Sequence, residues 1–277
     1  MASIDSSLKE ISKINTLQQR DQWVNNLHPL VKLLLTFLYI ISVVSIGKYD
    51  LSKMLVFAIY PFIEFNLADL RFKDALYRMR LILPLVMVVG IFNPIFDRDI
   101  MLYIGGTVMA NGEHAGGIAI SAGVISMLTL MLKGIYAVLA AYILIATTSI
   151  EEICYAMRKL HMPQILALVI LLINRYIYIL GEEASRIMTA YKLRAPSQRG
   201  IHYKAWGPLV GQWLIRSMDR AETVYESMQL RGFNGEYKYV GDHKFNKADI
   251  IYLVCWVVIF AIFRFTNVVE ALGGLFV

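Results

Sequence analysis

The chain has 277 residues, of which 57% are hydrophobic and 17% charged, with a mean hydropathy of +0.55 and a formal net charge of +6. That balance excludes an ordinary soluble domain and places the protein in a bilayer. Its two cysteines, Cys154 and Cys255, stand far apart in or beside apolar segments, which excludes a disulfide framework or a thiolate metal cluster and gives both a structural role.

Met1 to Asn26 is polar and mixed in charge, with no basic stretch leading into a short apolar one, so no cleaved signal peptide is expected. Apolar runs able, or nearly able, to cross a hydrocarbon core of ~30 Å follow at Leu30 to Gly47, Leu51 to Phe65, Leu81 to Phe96, Gly117 to Thr148, Met162 to Leu180 and Ile250 to Phe265. Arg71, Lys73, Arg78 and Arg80 lie after the second run, whereas Asp97 to Gly116 after the third offers only Arg98. Positive charge stays in the cytoplasm, so the first loop faces inward and the second outward. The run from Met162 to Leu180 begins at Pro163 and carries Asn174 and Arg175, and a central arginine costs ~2.5 to 3.5 kcal/mol in a bilayer. It reads as a tilted or interfacial helix, which gives five spanning helices, or six if it crosses.

The expected fold is an all-α integral membrane protein. Residues 1–28 form a cytoplasmic segment, 29–148 four transmembrane helices, 149–247 a cytoplasmic domain of long amphipathic helices, and 248–277 a last transmembrane helix. Glu64 and Lys133 fall inside apolar runs and read as reaching a helix end or a subunit interface. Small residues at Gly117, Ala119, Ser121 and Ala122 suit close helix approach.

Within 149–247, Ser149 with Glu152 three residues on forms a capping box that starts a helix running to about Leu160. A second helix runs from Pro163 to Arg194 and is stopped by Pro196, and a third runs from near Trp206 to Gly232. The third carries an apolar stripe at Val210, Leu214, Met218, Ala221, Tyr225 and Met228, spaced for one face packed against a partner helix. Each long helix ends on leucine and arginine, in Leu193-Arg194-Ala195 and Leu230-Arg231-Gly232. A single arginine there is a cap that complements the helix dipole. Two of them, on long amphipathic helices in one cytoplasmic block, form a docking surface for a soluble partner.

No residues are spaced for catalysis. The chain has no Gly-rich loop with a phosphate-binding lysine and no nucleophile with a histidine base. His28, His114, His161, His202 and His243 are scattered, with no pair at ligand spacing, so no metal site is expected. Glu151, Glu152, Glu182 and Glu183, the one set that a membrane enzyme would use, fall at helix starts or on solvated faces.

The stretch Arg216-Ser-Met-Asp-Arg-Ala-Glu-Thr-Val-Tyr-Glu-Ser-Met-Gln-Leu-Arg-Gly-Phe233 resembles the second signature of the transmembrane T component of energy-coupling factor (ECF) transporters. Glu182-Glu183 through Arg194 is similar to the first signature, Thr147-Thr148-Ser149 to the turn after the fourth membrane helix, and Asn26-Leu-His-Pro-Leu-Val-Lys32 to the opening of the family. The Arg-Ala-Glu and Val-Tyr wording is closer to the cobalt and nickel branch, the CbiQ type. One departure is that the family's Ala-Arg-Gly stands here as Leu-Arg-Ala and Leu-Arg-Gly. The resemblance implies a multi-pass coupling subunit of the cell membrane, with its N-terminus and coupling helices in the cytoplasm. Its implied partners are two ATP-binding cassette ATPases, which hold the ATP and magnesium, and a substrate-binding S-type membrane subunit, CbiM-like if cobalt is moved. The chain itself then needs no cofactor, catalyses nothing and binds no nucleic acid. A vitamin transporter of the same family is the alternative, and a self-contained secondary transporter the reading from another class. In the family the coupling helices cross, and the loop from Pro196 to Gly207 would let them scissor.

Overall fold

The structure is a computed structural model that describes residues 16–18, 22–96, 100–104, 107–108, 114–115, 118–196, 200–235 and 245–266. Its elements in chain order are α1 (Pro29–Ser45), α2 (Leu51–Val56), α3 (Ile59–Leu67), α4 (Phe72–Gly90), α5 (Asn93–Phe96), β1 (Ile100–Ile104), β2 (Thr107–Val108), β3 (His114–Ala115), β4 (Ile118–Ser121), α6 (Ala122–Thr147), α7 (Ile150–Lys159), α8 (Gln164–Arg194), α9 (Tyr203–Leu230) and α10 (Lys247–Phe265). They divide into two compact units, one holding α1 to α6 and α10, the other α7 to α9.

In the first unit α1 starts with Pro29 in its first turn and with His28 as cap, whose Nδ1 accepts from the Leu30 N–H at 3.1 Å. The apolar run Leu51 to Phe65, expected as one helix, is two, α2 and α3, interrupted at Phe57 and Ala58. Pro61 has no N–H to give to the Phe57 carbonyl, and the Tyr39 hydroxyl donates to that carbonyl instead at 2.9 Å. In an apolar surrounding a freed carbonyl needs such a partner, so the break and the tyrosine belong together.

The expected outer loop contains two short antiparallel ladders, β1 with β4 and β2 with β3. The fourth apolar run therefore becomes helical only at Ala122. Gly105, Gly106, Gly116 and Gly117 lie outside the described residues. Close helix approach occurs at two glycines. A Cβ on Gly134 of α6 would stand 3.1 Å from Val86 of α4, and one on Gly90 would stand 3.3 Å from Met127.

Around α6 the core is aromatic. Tyr39 and Tyr60 have ring centroids 4.4 Å apart, Tyr60 meets Trp256 edge-on at 4.9 Å, and Phe260 lies 5.4 Å from Tyr39. The opposite faces stay apolar and exposed, through Phe37, Ile41 and Val44 on α1 and Ile251, Val254 and Val258 on α10. By length and composition α6, α8 and α10 are each sufficient to cross a membrane.

Five charged side chains of this unit have internal partners. Lys32, buried, donates to the carbonyls of Asn25 and Thr147, each at 2.9 Å, the second being the last residue of α6. Lys133 of α6 reaches the end of α1, donating to the Val44 carbonyl at 3.0 Å and to that of Ile46, and Arg264 adds a bond to the Ser45 carbonyl at 3.0 Å. Glu64 reaches no helix end: it is buried and accepts from the Tyr252 hydroxyl of α10. Asp249 of α10 accepts from the backbone N–H of His28 at 3.1 Å and of Asn246 at 2.9 Å.

In the second unit α7 opens on the Ser149–Glu152 capping box in full, the Glu152 N–H donating to Ser149 Oγ at 3.2 Å and the Ser149 N–H to the Glu152 carboxylate at 3.0 Å. Cys154 packs with Ala167 and Leu171 between α7 and α8. Burial, with the Glu151 carboxylate adding to it, pushes its thiol pKa up, so Cys154 behaves as a small apolar residue.

Candidate functional site

α8 runs unbroken for 31 residues and stops at Arg194, because Pro196 cannot continue it; Ala195 keeps φ at −131° and only its N–H bonds back, to Tyr191 at 3.1 Å. α9 ends differently. Gly232 takes φ +79°, its N–H meets the Gln229 carbonyl at 2.9 Å, and the Phe233 N–H meets the Met228 carbonyl at 3.0 Å. This is a complete Schellman closure, and the glycine is what permits its left-handed turn. The Met228 and Gln229 carbonyls near the end of α9 are thus satisfied by backbone, without the Arg231 side chain.

Both arginines are exposed, and among the described residues neither enters an ion pair. The leucines before them are also outward, Leu193 at 77% and Leu230 at 90% exposure. Each helix tip therefore presents an apolar side chain beside a fixed cation, at the end of a rigid rod. Arginine keeps its charge at any physiological pH, and its planar fork pairs with carboxylates in a defined geometry.

The expected packing stripe meets no helix among the described residues. Val210, Leu214, Met218, Ala221 and Tyr225 are exposed, and Met228 is half-buried. The stripe is left uncovered by the described chain, and α9 meets α8 through other residues. Trp213 donates its indole N–H to the Leu180 carbonyl at 3.1 Å, and Arg216 pairs with Glu183. Glu183 lies past the apolar part of α8, and its bond with Arg216 holds its carboxyl below the usual range. Nearer the turn the His202 N–H donates to the Tyr191 hydroxyl at 3.3 Å. Sequence reasoning missed Trp213, Glu183 and Arg216 as a set. The signal was Trp213, which lies off the apolar stripe of an amphipathic helix.

Among the described residues no three histidine, cysteine or carboxylate side chains converge as metal ligands. His243 and the Glu113 beside His114 lie outside those residues. His161 has a conformational role, taking φ +69° to turn the chain from α7 into α8, with its N–H bonded to the Arg158 carbonyl at 3.1 Å.

Comparison with known proteins gives the chain its relatives. It is similar to the energy-coupling factor transporter transmembrane protein EcfT of Leuconostoc gelidum, with 23% identity over 264 residues that cover 88% of this chain and 94% of that one. It is also similar to the nickel permease LarQ of Lactiplantibacillus plantarum, with 26% identity over 119 residues, 43% of this chain and 44% of the permease. An uncharacterized protein of Methanocaldococcus jannaschii is 28% identical over 142 residues, 50% of this chain and 49% of that one. The chain thus spans about half or less of the length of these last two. A family model described as CbiQ, cobalt transport protein, matches residues 20–240, and the chain belongs to that family.

Proposed function

We propose that this protein is the transmembrane coupling subunit of an ECF-type ATP-driven importer. It transmits the motion of two cytoplasmic ATPases to a substrate-binding membrane subunit, and it catalyses nothing itself. The observation that carries the reading is the pair of exposed Leu-Arg helix tips, of which the second is closed by backbone and leaves its arginine available. An acidic groove on each ATPase suits such a tip, since the cation gives binding and the leucine fills a small apolar contact. The match to EcfT along most of both chains supports the same reading.

In this reading the α7 to α9 unit faces the cytoplasm, which the excess of lysine and arginine there supports. The exposed stripe Val210, Leu214, Met218, Ala221 and Tyr225 is left for a further subunit of the complex. Cobalt or nickel is the cargo favoured by the family and by the name of the nickel permease, with a CbiM-like partner as the metal-binding subunit and ATP and magnesium held in the ATPases.

The test is affinity purification of the chain from its own membranes in mild detergent, with identification of what accompanies it and an ATPase assay. ATP-binding subunits and a membrane partner are expected with the native chain. Arg194→Glu combined with Arg231→Glu should lose the ATPases while the chain stays folded. Purification of the native chain alone, with gradient-driven transport in vesicles, would defeat the proposal.

A further inference from the structure

The docking reading uses the far ends of α8 and α9 and leaves the turn between α7 and α8 without a role. α7 begins two residues after α6, a helix long and apolar enough to cross a bilayer, so its first turn is tied by the chain to within about 10 Å of the end of that span. Ile150, Ile153, Met157 and Leu160 share one side of α7, and Glu151, Tyr155, Arg158 and Lys159 share the other. Part of the helix is covered, since Cys154 packs with Ala167 and Leu171 of α8. Ile150, Met157 and Leu160 stay exposed, and past the turn so do Ile165, Leu166 and Val169.

Arg158 and Lys159 are exposed beside this apolar patch. Arg158 donates to Gln164 Oε1 at 3.3 Å, which carries its head across the turn to the start of α8, and Lys159 lies 4.9 Å from the centre of the Tyr155 ring. Apolar side chains and two cations thus stand together, the pattern of a helix that lies in a headgroup layer. The packing points the same way. Cys154, Ala167 and Leu171 tie α7 to the first turns of α8, so an α8 that crossed the bilayer from Gln164 would carry α7 in with it and leave Arg158 and Lys159 in hydrocarbon, the costliest place for them. Lying along the surface avoids that and removes the patch from water.

We propose that the α7–α8 turn is a lipid-binding anchor: Met157, Leu160, Ile165 and Leu166 enter one leaflet, and Arg158 and Lys159 bind the phosphates of anionic phospholipids. The root of α8 is thereby held at the membrane surface, while Arg194 at its other end is left to move with a partner. The anchor needs no ATPase, so it stands or falls apart from the docking reading.

The test uses the chain with whatever subunits accompany it, in vesicles of phosphatidylcholine with or without phosphatidylglycerol, in a Cys255→Ser background because Cys255 is exposed whereas Cys154 is buried. A fluorophore is placed in turn on Leu160→Cys, Leu166→Cys and Gln229→Cys, all exposed positions, and its quenching by lipids brominated on the acyl chain is read. Strong quenching is expected at Leu160 and Leu166 and little at Gln229, with more at the first two when phosphatidylglycerol is present. Arg158→Gln with Lys159→Gln should erase the dependence on phosphatidylglycerol, and Arg158→Lys with Lys159→Arg should keep it, which a merely structural role for the two cations would not produce. Quenching at Leu160 and Leu166 no greater than at Gln229 overturns the inference, as does a phosphatidylglycerol dependence that survives the glutamine pair. Quenching that appears only after the accompanying subunits are stripped away assigns the patch to a protein partner and overturns it too. If no ATPases accompany the chain, the docking reading falls and these expectations stand unchanged.

Discussion

In the unit built from α1 to α6 and α10, basic side chains close helix ends; in the unit of α7 to α9, the long helices stop by other means and leave their basic side chains outward. Lys133 and Arg264 serve the carbonyls at the end of α1, and Lys32 serves the last carbonyl of α6. At the end of α9 the same need is met by Gly232 and two backbone bonds, and at the end of α8 Pro196 stops the chain while Arg194 stays exposed. A lysine or arginine at a helix end is thus not one kind of feature. Where the basic side chain itself bonds the helix-end carbonyls, the charge is consumed internally; where backbone or a proline ends the helix, it is available to another molecule.

That contrast can be broken or sharpened by substitution. The largest effect is expected from Arg194→Glu with Arg231→Glu, which should abolish ATPase co-purification while leaving the thermal unfolding of the chain in detergent unchanged. Lys32→Met should do the reverse. It orphans two carbonyls and is expected to cost about 2 to 4 kcal/mol, read as a lower unfolding midpoint with the docking tips untouched. Tyr39→Phe leaves the Phe57 carbonyl without its donor and should cost about 1 to 2 kcal/mol in the same assay. Gly232→Ala forces a Cβ into a left-handed turn at a cost of about 1 kcal/mol, and amide exchange should rise over the last turn of α9 and nowhere in the other unit. The smallest change is His161→Gly, expected to stabilise the α7–α8 turn by about 0.5 kcal/mol, since glycine accepts φ +69° without steric cost but loses more entropy on folding.

Local signals were legible in the sequence. The capping box at Ser149, the unbroken helix from Pro163 to Arg194 and the stop at Gly232 all rest on residues within a turn of one another, and the structure has each of them. Signals that needed a distant partner were not. Pro61 was visible in the second apolar run, but the break it causes depends on Tyr39, more than twenty residues earlier. Close approach was sought at the small residues around Ala119, and Gly90 and Gly134, which face Met127 and Val86, were not singled out. The stripe on α9 was read as apolar and as packing on a partner helix, and no element of the described chain covers it. Periodicity marks which face avoids water, not which element covers it. The face that does meet α8 is polar and aromatic, held by Trp213 and Arg216, and it carries no periodic signature.

Backbone closure at Gly232 has one more consequence. Because the end of α9 holds without any help from the side chain at position 231, that side chain can be exchanged without unravelling the helix beneath it. The tip is in effect an interchangeable fitting on a finished rod. Drift in a partner's groove can be matched here by a single substitution, with no second change needed to repair the fold.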